Sequence, residues 1–163
     1  AANARAGKAA RIIVKCNALI EPETIEALYQ ASQDGVRIDC IIRGVCCLRP
    51  GVPGVSDNIH VRSIVGRFLE HTRVFYFHNE GDFDLYLSSA DWMGRNFFQR
   101  VETAFPVADR KIRQRILKDG LELYLADNTD AWVLQKDGEY KRRVPVGKQR
   151  PHSAQSSLMS RKP

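Results

Sequence analysis

The fold of this chain is decided by residues 11–42. They comprise an apolar run, Arg11-Ile-Ile-Val-Lys-Cys16, a segment that opens with Pro22, and a second apolar run, Val36-Arg-Ile-Asp-Cys-Ile-Ile42. The runs rich in Val and Ile predict buried strands, and the apolar residues between them recur at helical spacing over 22–33. Strand, helix and strand within about 30 residues form a βαβ unit with parallel pairing.

A long loop follows the second predicted strand. Residues 43–58 contain three glycines and two prolines, so neither a helix nor a strand is predicted there. Loops of this length are uncommon in compact domains and often functional. This loop starts at the carboxyl end of a parallel strand, where open α/β sheets bind their ligands. We therefore expect a binding site beside Arg43.

The remaining pattern predicts an α/β protein with a mixed sheet and flanking helices. Further strands are expected at 59–64, 73–77, 83–88, 100–105, 131–134 and 140–144. Residues 73–88 and the segment around Asp137-Gly138 predict hairpins, and 65–70 predicts a turn or short helix. Asp91 is expected to cap a short helix that ends near Asn96. The predicted amphipathic helix over 109–118 has three inward-facing residues: Ile112, Ile116 and Leu117.

The net charge of +6 is unevenly distributed along the 163 residues. Residues 1–139 hold 18 basic and 19 acidic residues, a net −1, whereas residues 140–163 hold 7 basic residues and no acidic ones, a net +7. This distribution weakens the indication of nucleic-acid binding that the net charge gives. We expect one folded domain over 1–145 and a solvated, disordered tail over 146–163. A docking arm for a polyanion or an acidic partner is the alternative.

Cysteine spacing and the amino terminus indicate the setting of the chain. The four cysteines, at 16, 40, 46 and 47, form no C-x-x-C pair and no zinc-type Cys/His spacing. Free thiols without a disulfide framework indicate a reducing compartment. The first residues contain neither Met nor a signal-peptide pattern, and no apolar run is long enough to cross a bilayer. We therefore expect a soluble piece of a longer protein.

Arginines are the candidate phosphate ligands. The sequence has no P-loop and no G-x-G-x-x-G motif, so glycine-rich backbone cradles are excluded. Residues 37–73 contain arginine and no lysine, at these positions: Arg37, Arg43, Arg49, Arg62, Arg67 and Arg73. The guanidinium fork matches two phosphate oxygens at once. A surface ion pair is the alternative for each, and it is preferred for Arg37 and Arg62; Arg43 is the candidate because it ends a strand at the ligand edge.

A degenerate histidine motif is the second chemical signal. His71 and Arg73 stand two residues apart, and Ser88-Ser-Ala-Asp91 follows. The pattern loosely resembles the H-x-K…G-S-x-N signature of the phospholipase D superfamily, in which paired histidines act on phosphate esters. Arg replaces Lys, Ser replaces Gly, Asp replaces Asn, and the spacing is longer. The other histidines, at 60, 78 and 152, are interpreted as structural or surface residues.

Three longer segments resemble polyphosphate kinase. They are Ile41-Ile-Arg-Gly-Val-Cys-Cys-Leu-Arg-Pro-Gly51, Ser63-Ile-Val-Gly-Arg-Phe-Leu-Glu-His71 and Tyr86-Leu-Ser-Ser-Ala-Asp-Trp-Met-Gly-Arg-Asn96. Asn17, Leu28-Tyr-Gln-Ala-Ser32 and Gly35 add to the similarity, which extends over roughly residues 3–125. The resemblance implies reversible transfer of the terminal phosphate of ATP to polyphosphate, with Mg²⁺.

The resemblance also implies a domain and its site residues. It implies a phospholipase-D-like fold over 1–145, the second of two such domains, with the phosphorylated histidine upstream of this chain. By motif, Arg43 corresponds to a phosphate-contacting arginine and His71 to a second active-site histidine, and Arg73 joins them as a phosphate or ATP contact. We expect Arg43 and His71 within one ligand's reach, at the carboxyl edge of neighbouring strands. The Mg²⁺ ligands are expected outside this chain.

The implied partners are ATP or ADP, inorganic polyphosphate and the remaining domains of the same enzyme. A homo-oligomer, no specific nucleic acid, and a cytoplasmic location that extends to the periphery of the inner membrane are further expectations. The chain alone is expected to be inactive, because one wall of the site would be missing. Two alternatives stay open: a phospholipase-D-type phosphodiesterase, which needs two intact H-x-K motifs, and a non-enzymatic polyanion-binding module that uses the arginines and the tail.

Overall fold

The computed structural model describes residues 1–79 and 81–161, which form one mixed sheet flanked by helices. The strands are β1 (Arg11–Cys16), β2 (Arg37–Ile42), β3 (Ile59–Ile64), β4 (Val74–Asn79), β5 (Asp82–Ser88), β6 (Ala104–Pro106), β7 (Ala131–Leu134) and β8 (Tyr140–Arg142). The helices are α1 (Ala2–Arg5), α2 (Pro22–Gln33), α3 (Gly94–Phe98), α4 (Arg110–Ile116), a π-helical stretch (Leu117–Glu122), α5 (Leu123–Ala126) and α6 (Ala154–Met159).

The strand order within these residues is β6-β5-β4-β1-β2-β3-β7-β8. β1, β2 and β3 are parallel, and the other pairs are antiparallel. The predicted α/β class, the βαβ unit and the two hairpins are therefore confirmed. Helix α2 begins as expected at Pro22, and the Glu21 carboxylate accepts hydrogen bonds from the backbone N–H groups of Glu23 and Thr24. These bonds satisfy donors that the first turn of a helix leaves unpaired.

Apolar side chains bury both faces of the central strands. On one face, Val14 and Ile42 pack with Ile25 and Leu28 of α2. On the other face, apolar side chains of β1, β2 and β5 pack with the helical segment 110–126 and with α6. The alternation of side chains along each strand produces these two layers, because neighbouring residues point to opposite faces. Strands covered on both faces explain the nearly continuous apolar runs in the sequence.

The helix predicted over 109–118 is longer and rotated. Asp109 caps it by accepting from the Ile112 N–H at 2.8 Å, and helical structure continues to Ala126. The expected inward orientation of Ile112 is wrong, since this side chain is 53% exposed. Arg113 faces the sheet instead: its guanidinium lies 4.8 Å from the centre of the Phe83 ring and donates to the Phe83 carbonyl. Further along the same helical segment, the side chain of Leu121 is fully buried.

Three smaller expectations differ from the structure. The predicted strand 100–105 is reduced to Ala104–Pro106 at the sheet edge, where a missing proline N–H is tolerated. The strands beside the predicted turn at 78–82 are longer than expected, since β4 extends to Asn79 and β5 begins at Asp82; residue 80 lies outside the described residues. Asp91 does not cap a helix: α3 begins at Gly94 and its cap position is Met93.

The expectation of a disordered tail over 146–163 is wrong for residues 153–159. Helix α6 forms there, with the Ser153 hydroxyl capping its first turn. The Asp127 carboxylate accepts the Ala154 N–H at 2.7 Å, and Ala154 is fully buried. Composition misled the prediction because this segment is held by hydrogen bonds to the loop before β7 rather than by many apolar residues. Residues 162 and 163 lie outside the described residues.

Candidate functional site

The candidate site lies at one edge of the sheet, where the carboxyl ends of β1, β2 and β3 meet. β4 is antiparallel to β1, so its amino end lies at the same edge. β5 is antiparallel to β4, which brings its carboxyl end there as well. The segments that leave these strand ends therefore converge, as expected for ligand binding in α/β sheets.

Arg43 directly follows β2 and carries the first functional side chain. Its guanidinium donates to the amide oxygen of Asn17, through Nε at 2.7 Å and also through Nη2. The Arg43 carbonyl accepts from the Ser63 hydroxyl at 2.9 Å, which fixes the backbone. Because the amide of Asn17 is neutral, these bonds orient the guanidinium without neutralising it. The structure gives Arg43 no ion-pair partner among the residues it describes.

Arg73 and Asp91 form a two-point ion pair beside Asn17. Arg73 Nε and Nη2 each lie 3.0 Å from one oxygen of Asp91, whose side chain is 4% exposed. The Asp91 carboxylate also accepts from the backbone N–H of Asn17 at 2.8 Å. Burial acts to raise the pKa of Asp91, but the hydrogen bonds from Arg73 and Asn17 outweigh it and hold that pKa below its ordinary value. Asp91 is therefore an anion whose charge is committed to Arg73.

His71 stands at the exposed margin of this network. Its backbone carbonyl accepts from Arg73 Nη1 at 3.3 Å, and its ring Nε2 lies 3.5 Å from Arg73 Nη2. The second distance is at the limit of a hydrogen bond, so the imidazole keeps its capacity to bond a ligand. All three guanidinium nitrogens of Arg73 have an acceptor in the chain, which makes Arg73 a weaker candidate than Arg43 for direct contact with phosphate.

The structure links the two principal candidates, Arg43 and His71, through Asn17, Asp91 and Arg73. They share one edge of the sheet, but the expectation of neighbouring strands is wrong. β1 lies between β2 and β4, and His71 precedes an antiparallel strand rather than following a parallel one.

Two adjacent recesses open beside these side chains. One, of about 450 Å³, is lined by Arg43 and residues 64–70. The other, of about 440 Å³, is lined by His71 and shares Phe68, Leu69 and Glu70 with the first.

Sequence reasoning missed the roles of Asn17, Asp91 and Lys15. Lys15 is 2% exposed in β1, and its ammonium lies 2.8 Å from the Glu70 carboxylate, next to His71. A lysine within a run predicted to be a buried strand signals a buried partner, because an unpaired buried charge is very unfavourable. Asn17 and Asp91 belong to the motifs that carry the family resemblance, but no local signal shows their contacts, which form only because distant segments meet.

The other arginines have structural contacts. Arg37 and Arg11 donate to the same Asp39 oxygen at 3.1 and 2.7 Å, which agrees with the ion pair preferred for Arg37. Arg62 is not a surface ion pair: it is partly buried and donates to the Leu125 carbonyl. The guanidinium of Arg67 lies 5.6 Å from the centre of the Phe68 ring.

Cysteine and metal chemistry find little support in the described residues. Burial raises the pKa of Cys46 to about 11, so its thiol is protonated and a poor nucleophile. No group of three or more His, Cys, Asp and Glu side chains in residues 1–79 and 81–161 could hold a metal ion. The donors present therefore do not fit a complete Mg²⁺ site. In the same part of the chain, no helix has the length and apolar character needed to cross a membrane.

Comparisons with known proteins agree with the resemblance found in the sequence motifs. Residues 1–155 match the family model described as polyphosphate kinase C-terminal domain 2. The chain is 60% identical over 161 residues to a polyphosphate kinase of Pseudomonas aeruginosa, covering 99% of this chain and 23% of that protein. It is 62% identical over 141 residues to a polyphosphate kinase of Burkholderia ambifaria, covering 86% of this chain and 20% of that protein.

A solved structure shows the same fold. The crystal structure of polyphosphate kinase from Porphyromonas gingivalis superimposes with a TM-score of 0.92 at 39% identity, over 96% of this chain and 24% of that one. This chain thus spans less than a quarter of the length of the two relatives described. The family match extends past residue 145, in agreement with the ordered α6.

Proposed function

The chain belongs to the polyphosphate kinase family, and on this premise we propose that it forms one wall of the site at which such an enzyme reversibly transfers the terminal phosphate of ATP to polyphosphate. The observation that carries the proposal is the arrangement of Arg43: its guanidinium is held by the neutral amide of Asn17 and lines a recess. An oriented cation without a counter-ion is suited to phosphate oxygens.

The proposed roles divide the site between binding and proton chemistry. Arg43 binds the oxygens of the transferred phosphoryl group or of the adjoining phosphate. His71 either transfers a proton or donates a hydrogen bond to the phosphoryl group in flight. Arg73, a weaker candidate for direct contact with phosphate or ATP, holds the edge on which both side chains stand through its ion pair with Asp91. Phosphoryl transfer depends on positioning and charge neutralisation, and these residues supply both from one side.

Other parts of the enzyme would complete the site. We propose that the phosphate passes through a histidine outside this chain and that His71 is not the carrier. Mg²⁺, which neutralises phosphate charge, would be held by residues elsewhere in the enzyme and by the substrates, since the described residues include no ligand cluster.

Contacts with the rest of the enzyme belong to the same proposal. Apolar side chains on and after α3 are unusually exposed, with Phe98 72% exposed and Val101 fully exposed, which supports packing against another domain or a second copy. A homo-oligomer in the cytoplasm, able to associate at the inner membrane, is the proposed setting. ATP or ADP and polyphosphate are the proposed ligands.

A phosphate-exchange assay tests the function. The longer enzyme that contains this chain should convert ADP and polyphosphate to ATP and also run in reverse, whereas residues 1–163 alone should bind tripolyphosphate weakly and show no turnover. Hydrolysis of a phosphodiester by the longer enzyme, without exchange, would favour the phosphodiesterase alternative. Salt-dependent binding of polyphosphate without any turnover would favour a polyanion-binding module, because such binding releases counterions. Either of these results would contradict the proposal.

A further inference from the structure

The loop 65–72, which carries His71, is not held in place by burial of its apolar side chains. It connects β3 to β4 and forms neither a helix nor a strand. Its apolar side chains face solvent: Val65 is 61%, Phe68 50% and Leu69 69% exposed. The His71 side chain is exposed as well, so its position depends on the backbone that carries it. Contacts other than apolar packing must therefore hold this loop.

Gln155 of helix α6 supplies the first of these contacts. Its Oε1 accepts from the Phe68 N–H at 2.9 Å, and its Nε2 donates to the Phe68 carbonyl at 2.8 Å. The same Nε2 lies 2.7 Å from one oxygen of Glu70. One amide thus binds both backbone groups of Phe68, as a neighbouring strand would, across 87 residues of sequence. The loop is exposed, but Gln155 itself is only 5% exposed.

Lys15 supplies the second contact. It binds the other Glu70 oxygen at 2.8 Å, and its ammonium lies 3.4 Å from the centre of the Tyr124 ring. Burial lowers the pKa of Lys15, while the hydrogen bond and the charge of Glu70 act in the opposite direction. Each charge of a buried pair is strongly destabilising without the other. Glu70 is therefore held firmly one residue before His71.

We infer that Gln155, together with Glu70 and Lys15, is a positioning unit that fixes the His71 loop for phosphoryl transfer. The inference rests on the proposed function for its chemical meaning. It makes α6, which composition alone marks as a solvated tail, part of the support of the site. The unit sets His71 through the backbone, because the hydrogen-bond contact of the imidazole within the described residues is with Arg73 and not with the unit.

Two independent variants disturb the unit. Gln155→Ala removes the amide. Gly66→Ala leaves Gln155 in place but puts a Cβ 2.5 Å from its Oε1, so the flexible amide must move away. Matched controls are Gln30→Ala on the exposed surface of α2 and Gly94→Ala, whose added Cβ would meet nothing closer than Phe98 at 3.9 Å. Gly66 does not have a positive φ, so alanine fits its backbone.

The first measurement is amide hydrogen exchange of residues 1–163. Both test variants should speed exchange at the Phe68 N–H about 10-fold or more, since local opening then no longer requires breaking that hydrogen bond. The amides of the central strands and both controls should stay unchanged. Unchanged Phe68 protection in a folded Gln155→Ala variant would overturn the positioning unit. If Gln155→Ala does not fold, Gly66→Ala decides the question by the same measurement.

The second measurement is turnover of the longer enzyme with ADP and polyphosphate. Each test variant should lower kcat by about 10- to 100-fold, because a small misplacement of a reacting group is costly, with KM changed less than about 3-fold. The double variant should be no worse than the more severe single one, since both act through one contact. Lost Phe68 protection with normal kcat, or additive losses, would overturn the role for His71. An inactive unmodified enzyme would instead refute the proposed function, and the exchange experiment would still decide the unit.

Discussion

The two ends of β2 place arginines against different hydrogen-bond acceptors. At the amino end, Arg37 and Arg11 both donate to one oxygen of Asp39, which is 1% exposed. At the carboxyl end, Arg43 donates to the neutral amide of Asn17, and the nearby carboxylate of Asp91 is taken by Arg73. The first arrangement is closed, because a buried anion already accepts both arginines. The second is open, because one oriented cation keeps its charge.

This difference shows why an arginine count is a poor guide to an anion site. Arg37 begins β2 and Arg43 directly follows it, and both guanidinium groups have a hydrogen-bond acceptor. What separates them is the charge of that acceptor and the recess in front of Arg43. An ion pair near the surface contributes little to stability. It also attracts an anionic ligand less than a guanidinium without an anionic partner does.

Replacing the two arginines tests the comparison most strongly. Arg43→Ala should lower kcat/KM of the longer enzyme by about 10²–10³-fold, the size expected when one charge-stabilising donor is lost. Arg37→Ala should leave kcat/KM within about 2-fold, because Arg37 is an exposed side chain that already bonds Asp39 at the far end of the strand. Arg43→Lys should recover only part of the activity, since lysine lacks the fork. Equal losses for Arg37→Ala and Arg43→Ala would remove the distinction between the two ends.

Histidines at the two ends provide the second test. His71→Gln keeps a donor but cannot titrate, so we expect about 10²-fold lower kcat and loss of one limb of the pH–rate profile. The histidine that we propose as the phosphate carrier, upstream of this chain, should still be phosphorylated, more slowly. The control is His60→Gln at the closed end. His60 is an exposed residue of β3 that lies opposite Asp39 of β2 in the register of the sheet. Near-normal activity of His71→Gln would exclude proton transfer, and a covalent phosphate on His71 would contradict the assigned roles.

Asn17→Asp should convert the open end into a closed one. A carboxylate at this position would form an ion pair with Arg43, and we expect binding of tripolyphosphate to residues 1–163 to weaken about 10-fold, which corresponds to about 1.4 kcal/mol. Calorimetric titration at two salt concentrations measures the effect. Asn17→Ser, which stays neutral, is the control and should weaken binding less. Unchanged affinity in Asn17→Asp would show that the charge on Arg43 does not bind the anion.

The smallest expected effect concerns stability in acid. The pKa of Asp91 is lower when folded than in the unfolded chain, so its contribution to stability is present above the unfolded value and is lost as pH falls through the folded one. Asp91→Asn should therefore be less stable than the unmodified chain at neutral pH, and the difference should shrink on acidification below about pH 4. Thermal unfolding from pH 7 to pH 3 measures this, with the exposed Asp137→Asn as control. A difference that stays constant with pH would contradict the ion pair with Arg73.

Much of the fold follows from local sequence patterns. The strands β1, β2 and β3 and helix α2 are set by runs of Val and Ile, by Pro22 and by Gly35, and the structure confirms them nearly residue for residue. The hairpin at Gly138, whose φ of 94° favours glycine, is equally local. The family resemblance adds Arg43 and His71, which stand in contiguous motifs and whose roles stay predictions.

Local patterns fail where polar contacts between distant segments replace apolar packing. Asp91 has the spacing of a helix cap, but it pairs with Asn17, 74 residues away, and with Arg73. Gln155 lies in a segment with the composition of a tail, yet it is buried against Phe68. A hydrogen bond depends on position and direction at the scale of a few tenths of an ångström, and composition or periodicity carries no such information.

The sequence by itself therefore determined the central βαβ unit, the hairpins, the family and the two candidate residues that stand in contiguous motifs. Only the tertiary structure decided that Asn17 orients Arg43 without neutralising it, that Arg73 is already paired, and that α6 holds the loop before His71. Burial patterns can be read from the sequence, because the buried positions recur at a fixed spacing along each strand or helix. The charge state of a site is a property of which side chains meet, and that is settled only when the sheet brings its strand ends to one edge.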